Sequence, residues 1–232
     1  MHALVLGETR GRIRRGWQAP LSGFARNGLP GDGRLVGAFP FDPAQEGCLY
    51  SLGDDRVRAT PSGLHETRGR GLTRLPSPEV YGAAVAAAVT RLADPGDPLD
   101  KVVLARALEY RTDSPIDPLV VAARLGADQH VTGYALPLPR AEAPPLWLVG
   151  ATPELLLSRR GRAVCSHPLA GSARRRVDGA GDAAARDGLL RSAKDLAEHR
   201  YVVEYIHDIL APHCSALSVP VRPGLHCTAS MW

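Results

Sequence analysis

The alternation of apolar and polar positions gives the first reading of this chain. ALVLG (3–7), RLVGAFPFDP (34–43) and CLYSL (48–52) read as strands, the second ending at Pro40 or Pro43 because proline cannot donate to a ladder. The rest of 1–35 reads as short strands and turns, with Gly28, Gly31 and Gly33 marking reversals, and 53–75 is polar and loop-like. Ser77-Pro78-Glu79 is a helix start, with serine as N-cap and proline at the first helical position. That helix runs to about Leu92 and stops before Pro95-Gly96. KVVLARALEY (101–110) is β-branched and alternating, so it reads as a strand. Asp117-Pro118 opens a short helix, LVVAARLGA. GYALPLP (133–139) and PLWLVGA (145–151) form one expected hairpin; ELLLSRRGRAVCSHPLA (154–170) forms a second, turning at Arg160-Gly161. Residues 182–211 read as one long helix or two abutting ones, with Leu190, Val202, Val203, Ile206, Ile209 and Leu210 supplying much of the apolar stripe, and Pro212 ends it. ALSVPVRP (216–223) reads as a short strand. Antiparallel hairpins separated by a few helices indicate an α+β fold rather than a βαβ repeat.

Composition narrows this picture. With 44% hydrophobic and 22% charged residues over 232 positions, the chain can bury a sizeable core. No apolar run is long enough to cross a bilayer, and no membrane partner is expected. The start has no charged region followed by an apolar one, so no signal peptide is read and a cytoplasmic location is expected. Cys48, Cys165, Cys214 and Cys227 are scattered without a CxxC pair, which favours reduced, structural thiols. The net charge of +4 admits an anionic partner, either nucleic acid or a small dicarboxylate. Of 28 basic residues, only Lys101 and Lys194 are lysine. Lysine can lose its proton when desolvated and arginine effectively cannot, so Lys101 is a candidate base, against the plain alternative of two surface lysines.

The stretch Gly150–Arg176, GATPELLLSRRGRAVCSHPLAGSARRR, concentrates the remaining chemistry. It places a carboxylate, Glu154, after a proline-marked turn and closes on a small-residue loop containing Gly171 and Ser172. Glycine there lets backbone approach a ligand closely. Downstream, SAKDLAEHRYVVEYI (192–206) carries Glu198 beside Asp195 and His199. Singly, each has a plain reading. Helical glutamates are mostly solvated, Glu154 could be a first-turn acid, and Arg174–Arg176 lack the interleaved aromatics of a nucleic-acid groove. His213, Cys214, His226 and Cys227 suit zinc by type, but their spacing matches no standard site.

Taken together, KVVLAR, GATPELLLSR, HPLAGSARRR and SAKDLAEHRYVVEYI, in this order, closely resemble the chorismate-utilising enzymes, and among these the isochorismate synthases of 2,3-dihydroxybenzoate siderophore pathways. VGAFPFDP near the N-terminus is similar to the family as well. The resemblance implies an α+β fold with antiparallel sheets stacked centrally and helices outside. It implies that Lys101 activates a water and that Glu154 protonates the departing C4 hydroxyl of chorismate. Glu198 would be a ligand of a Mg²⁺ that holds the substrate carboxylate, and Gly171 and Ser172 would line the site. A desolvated lysine can serve as a neutral base, and a carboxyl group kept protonated by burial can serve as an acid. Lys101 implies water rather than ammonia as nucleophile, since anthranilate synthases usually carry Gln there. Ala170 stands where aminodeoxychorismate synthases carry a nucleophilic Lys. Salicylate synthases share the lysine and remain an alternative, as does a non-catalytic remnant; a nucleic-acid module has no motif here.

The resemblance also implies that the family's catalytic domain continues past a segment like CTASMW, with an HL-x-T motif, further metal-binding glutamates, and an Arg and a Lys for the substrate carboxylates. Residues 1–232 are therefore expected to be a single truncated domain: an N-terminal strand-rich part (1–75) and the first part of a catalytic core (76–232). The expectation is a monomer at full length, and an inactive, aggregation-prone polypeptide for these 232 residues alone.

Overall fold

The computed structural model describes residues 3–6, 9–20, 22–24, 35–53, 69–139 and 146–232. The chain divides into two compact units, Met1–Pro61 with Pro118–Trp232, and Ser62–Asp117.

The larger unit is built on a six-stranded sheet. Its strands are β1 (Ala3–Leu6), β2 (Thr9–Pro20), β3 (Leu35–Ala38), β4 (Glu46–Leu52), β7 (Thr132–Leu138) and β8 (Leu146–Thr152), in the order β3-β4-β2-β1-β7-β8. Every pairing is antiparallel. The side-chain period of two gives β4 an inner row of Cys48, Tyr50 and Leu52, and gives β7 an inner row of Leu136 and Leu138. These rows meet in one cluster with Val36 and Ala38. Three strand spacings separate β4 from β7 along the sheet, so it must curl for the rows to touch. The Tyr50 hydroxyl completes the contact, donating to the carbonyl of Pro137 at 2.7 Å. Burial first, and Cys48 second, push the Tyr50 phenol up to about 12.

Helix α2 (Pro118–Leu125) lies on this sheet. Ala122 and Ala135 are fully buried. Glycine meets glycine where the helix ends: a Cβ on Gly133 would stand 3.0 Å from the Cα of Gly126. The segment then runs through the hairpin β9 (Leu155–Arg160) and β10 (Ala163–His167), whose turn places Gly161 at φ 59°, a conformation that favours glycine. Leu155, Leu156 and Leu157 are all exposed among the described residues, so the first half of β9 is apolar on both faces. Helices α3 (Gly179–Arg191) and α4 (Ala193–Leu210) follow. Ser192 is extended, ends α3 and caps α4, its hydroxyl accepting from Asp195 N–H at 3.2 Å. The 182–211 stretch is thus two abutting helices. The first starts at Gly179 rather than 182 because Asp178 caps it through Gly181 N–H.

The smaller unit pairs β5 (Gly69–Leu75) with β6 (Ala107–Thr112) around helix α1 (Pro78–Leu92). Ser77 caps α1, accepting from Val80 N–H at 3.4 Å. Arg91 grips Asp97 through two bonds, 2.7 and 3.0 Å, and Asp97 accepts from Leu99 N–H, which closes the turn after the helix.

Three readings of the sequence are corrected. The segment 53–75 is not all loop, since Gly69–Leu75 is a strand. The strand expected over 101–110 begins only at Ala107, so Lys101 is not on a strand. The register pairs Ala107 with Leu75, and Pro76 beyond it has no N–H to extend the ladder. The strand expected at 216–223 does not form; Pro220 and Pro223 remove donors there, and only Arg174 and Met231 form a bridge nearby. The reversals read at Gly28, Gly31 and Gly33 fall outside the described residues. The α+β class stands. Truncation of Leu136, 6% exposed in the core cluster, should cost about 2–5 kcal/mol as Leu136→Ala, measured as a drop in urea midpoint at unchanged slope.

Candidate active site

The loop Leu169–Ser172 leaves the β9–β10 hairpin and lines a cavity of about 960 Å³ in the larger unit. Its other walls are the end of α2, Pro153 after β8, the first turns of α4 with Asp195 and His199, and the segment 223–232. Gly171 has φ 79°, and an added Cβ would come within 2.8 Å of Asp195 Cβ. The loop can therefore sit against α4 only because residue 171 has no side chain.

Glu154 sits between β8 and β9, with its backbone N–H donating to Thr152 Oγ1 at 3.1 Å. Its carboxylate accepts from Leu169 N–H at 3.3 Å, which ties the expected acid to the loop bearing Gly171 and Ser172. Glu154 is nevertheless exposed among the described residues. Glu198 is on α4 and does not line the cavity; Lys194 Nζ stands 3.6 Å from it and 3.3 Å from Asp195. Ser192 first, then Lys194, hold the Asp195 carboxyl below the usual carboxylate range. Lys101 belongs to the smaller unit, half-buried in the connection before β6. That connection is anchored on α1, where Tyr81 OH donates to Leu104 O at 3.5 Å and Arg106 lies over the Tyr81 ring.

Among the described residues, no group of three or more His, Cys, Asp or Glu side chains is placed to hold a metal ion. The four-residue zinc set is therefore not formed; His226 instead packs edge-on against His130 and His167. Magnesium asks less of the protein, since one or two carboxylates with water and substrate oxygens suffice. Glu198 and Asp195 stand one turn apart and share the Lys194 ammonium. No helix among the described residues is long and apolar enough to cross a membrane.

Sequence reasoning missed a clasp behind the loop. Arg175 stands in the sequence as one of three consecutive arginines, yet its guanidinium grips Asp182 (Nε 3.0 Å, terminal nitrogen 2.9 Å) and lies 4.2 Å from the Trp232 ring centre. Trp232 Nε1 donates to the same carboxylate at 3.0 Å, as does Arg176 N–H at 2.9 Å. Backbone bonds between Ala173 and Trp232, in both directions, and from Arg175 N–H to Ser230 O lay the 230–232 segment alongside 173–175. The only trace in the sequence is the isolated tryptophan after HCTASM.

With this geometry in place, comparison with known proteins identifies the class. The family model for chorismate binding enzyme matches residues 56–231. The chain belongs to this family. It is 37% identical over 207 residues to isochorismate synthase EntC of Escherichia coli, covering 85% of this chain and 52% of that protein. It is 35% identical over 207 residues to isochorismate synthase DhbC of Bacillus subtilis, with the same coverage of 85% and 52%. Among solved structures, one from Bacillus anthracis, assigned as a 2,3-dihydroxybenzoate-specific isochorismate synthase, DhbC, aligns with TM-score 0.81 at 30% identity, over 99% of this chain and 65% of that one. The chain spans about half the length of the sequence relatives it matches.

The clasp gives a pH prediction. Arg175 first, then Arg176 N–H, with a smaller share from Trp232, hold Asp182 at about 2 against an ordinary 3.8. A carboxyl depressed in the folded state adds stability above its unfolded value, and that stability is lost as pH falls toward the folded value. Stability of the protein should therefore decline as pH drops from 3.8 toward about 2, and Asp182→Asn should show a shallower decline from a lower starting point, read by urea unfolding at a series of pH values.

Proposed function

We propose that this protein converts chorismate to isochorismate with Mg²⁺. The family match and the identity to isochorismate synthases support this reading. The observation that carries it is the 3.3 Å bond from Leu169 N–H to Glu154, which brings a carboxyl group to a glycine loop facing a cavity, in a chain of this family.

In the reaction, one water enters the ring as the C4 hydroxyl leaves, so the net change is an isomerisation. Lys101 takes the proton of the entering water. Glu154 delivers a proton to the C4 oxygen, which departs as water. For Lys101 to act it must be neutral, and for Glu154 to act it must be protonated, so each needs a less solvated setting when substrate is bound. Gly171 allows the loop backbone to approach the substrate, and Ser172 offers a hydroxyl beside it. Glu198, with Asp195 beside it, would hold Mg²⁺, which when bound neutralises a substrate carboxylate.

The test is to supply chorismate and Mg²⁺, follow binding by calorimetry and resolve products chromatographically. Chorismate binding is expected, with isochorismate as the product wherever turnover occurs; salicylate with pyruvate would assign the lyase variant, and the absence of both binding and turnover would overturn the reading. Where turnover is measured, Lys101→Ala should lower it by at least about 100-fold with Mg²⁺ affinity kept, and Glu198→Ala should weaken Mg²⁺ binding and be partly restored by excess metal.

A further inference from the structure

We infer that Arg175 is a positioning residue for Glu154, acting through the clasp and the loop rather than by touching substrate. Arg175 presents a planar fork to Asp182 and a face to Trp232, and one terminal nitrogen donates to Thr228 O at 3.3 Å. Asp182 belongs to α3, so the fork fastens residue 175 to a helix. Trp232 belongs to the segment that walls the cavity, so the ring contact fastens residue 175 to that wall as well. The Asp182 side chain is only 14% exposed and Arg175 31%, so solvent does little to loosen the pair.

From this fixed point the chain runs back to the loop in three residues. Ala173 is held from both sides by Trp232, its N–H donating at 3.1 Å and its carbonyl accepting at 2.7 Å. Gly171 then rests on Asp195 with no room for a side chain. Leu169 N–H emerges at the far end of the same loop and donates to Glu154. The carboxyl thus has its place set by a loop pinned at 173–175 on one side and against α4 in the middle. Lysine at 175 would keep the charge but lose the fork and the stacked face, since an ammonium is a point donor and a guanidinium a plane. This inference rests on the proposed role of Glu154 only for its catalytic meaning; the mechanical link stands on the bonds alone.

Hydrogen exchange of the full chain tests it, resolved at Leu169, Ala173 and the β7–β8 amides. In Arg175→Ala, exchange at Leu169 and Ala173 should rise by about tenfold, the factor expected for one lost charge-assisted bond, while β7–β8 stays unchanged. Arg175→Lys should not restore protection, and the near-ultraviolet dichroism of Trp232 should fall in both variants. Trp232→Phe, a milder change, should give an intermediate rise and serves if the alanine variant does not fold. Unchanged exchange at Leu169, full rescue by lysine, or a uniform rise that includes β7–β8 would each overturn the inference. Chorismate affinity measured on the same proteins separates the two ideas: no binding by the wild type sinks the proposed function, while the exchange result still decides the role of Arg175.

Discussion

A single carboxylate, Asp182, gathers three donors from two separate stretches of chain. It accepts from the Arg175 guanidinium, from Arg176 N–H and from the Trp232 indole, and it lies in the first turn of α3. The carboxylate itself also benefits from the local field of the helix's first turn, which favours negative charge. Because the donors come from the loop side and the far segment, and the carboxylate from the helix, this group decides where three pieces of chain meet. The cavity wall formed by 223–232 has no regular secondary structure of its own beyond the bridge at Met231, so its shape is inherited from this junction.

The site therefore has two layers with different physics. The loop facing the cavity is small and sparse: leucine, alanine, glycine and serine. Such residues allow approach but cannot hold themselves in place. The layer behind is charged, forked and aromatic, and it supplies rigidity. On α4 a second economy is visible, where Lys194 stands between two carboxylates one turn apart. A surface pair of this kind contributes little to stability, so its interest lies in keeping two acids close without mutual repulsion.

How much of this could be read from the sequence depends on the range of the causes. Helix starts at Ser77 and Pro118 and the turn at Gly161 were legible because a cap or a positive φ is decided within a few residues. The sequence of β2, TRGRIRRGWQAP, reads only as short strands and turns rather than one long strand, and that of β5, GRGLTRL, as loop, because arginine and glycine carry little β signal. Their strand character comes from partners, β4 and β6, that lie elsewhere in the chain. The same holds for the site. Glu154, Gly171 and Ser172 were legible through their motif, and the structure connects Glu154 to their loop. Arg175 was hidden among like neighbours, since what distinguishes it is a tryptophan 57 positions away. The burial expected for Glu154 is a property of everything that surrounds it, which no local pattern encodes.

The contact between α2 and β7 carries a further implication. Gly126 and Gly133 touch with no side chain between them, and each would clash with the other's backbone if it acquired a Cβ. Either position can enlarge only if the helix gives by a few tenths of an ångström. Over evolutionary time the pair should behave as one site: lineages in which 133 has grown should also show a shifted helix or an altered 126, and the two columns of a family alignment should carry a joint signal that neither shows alone.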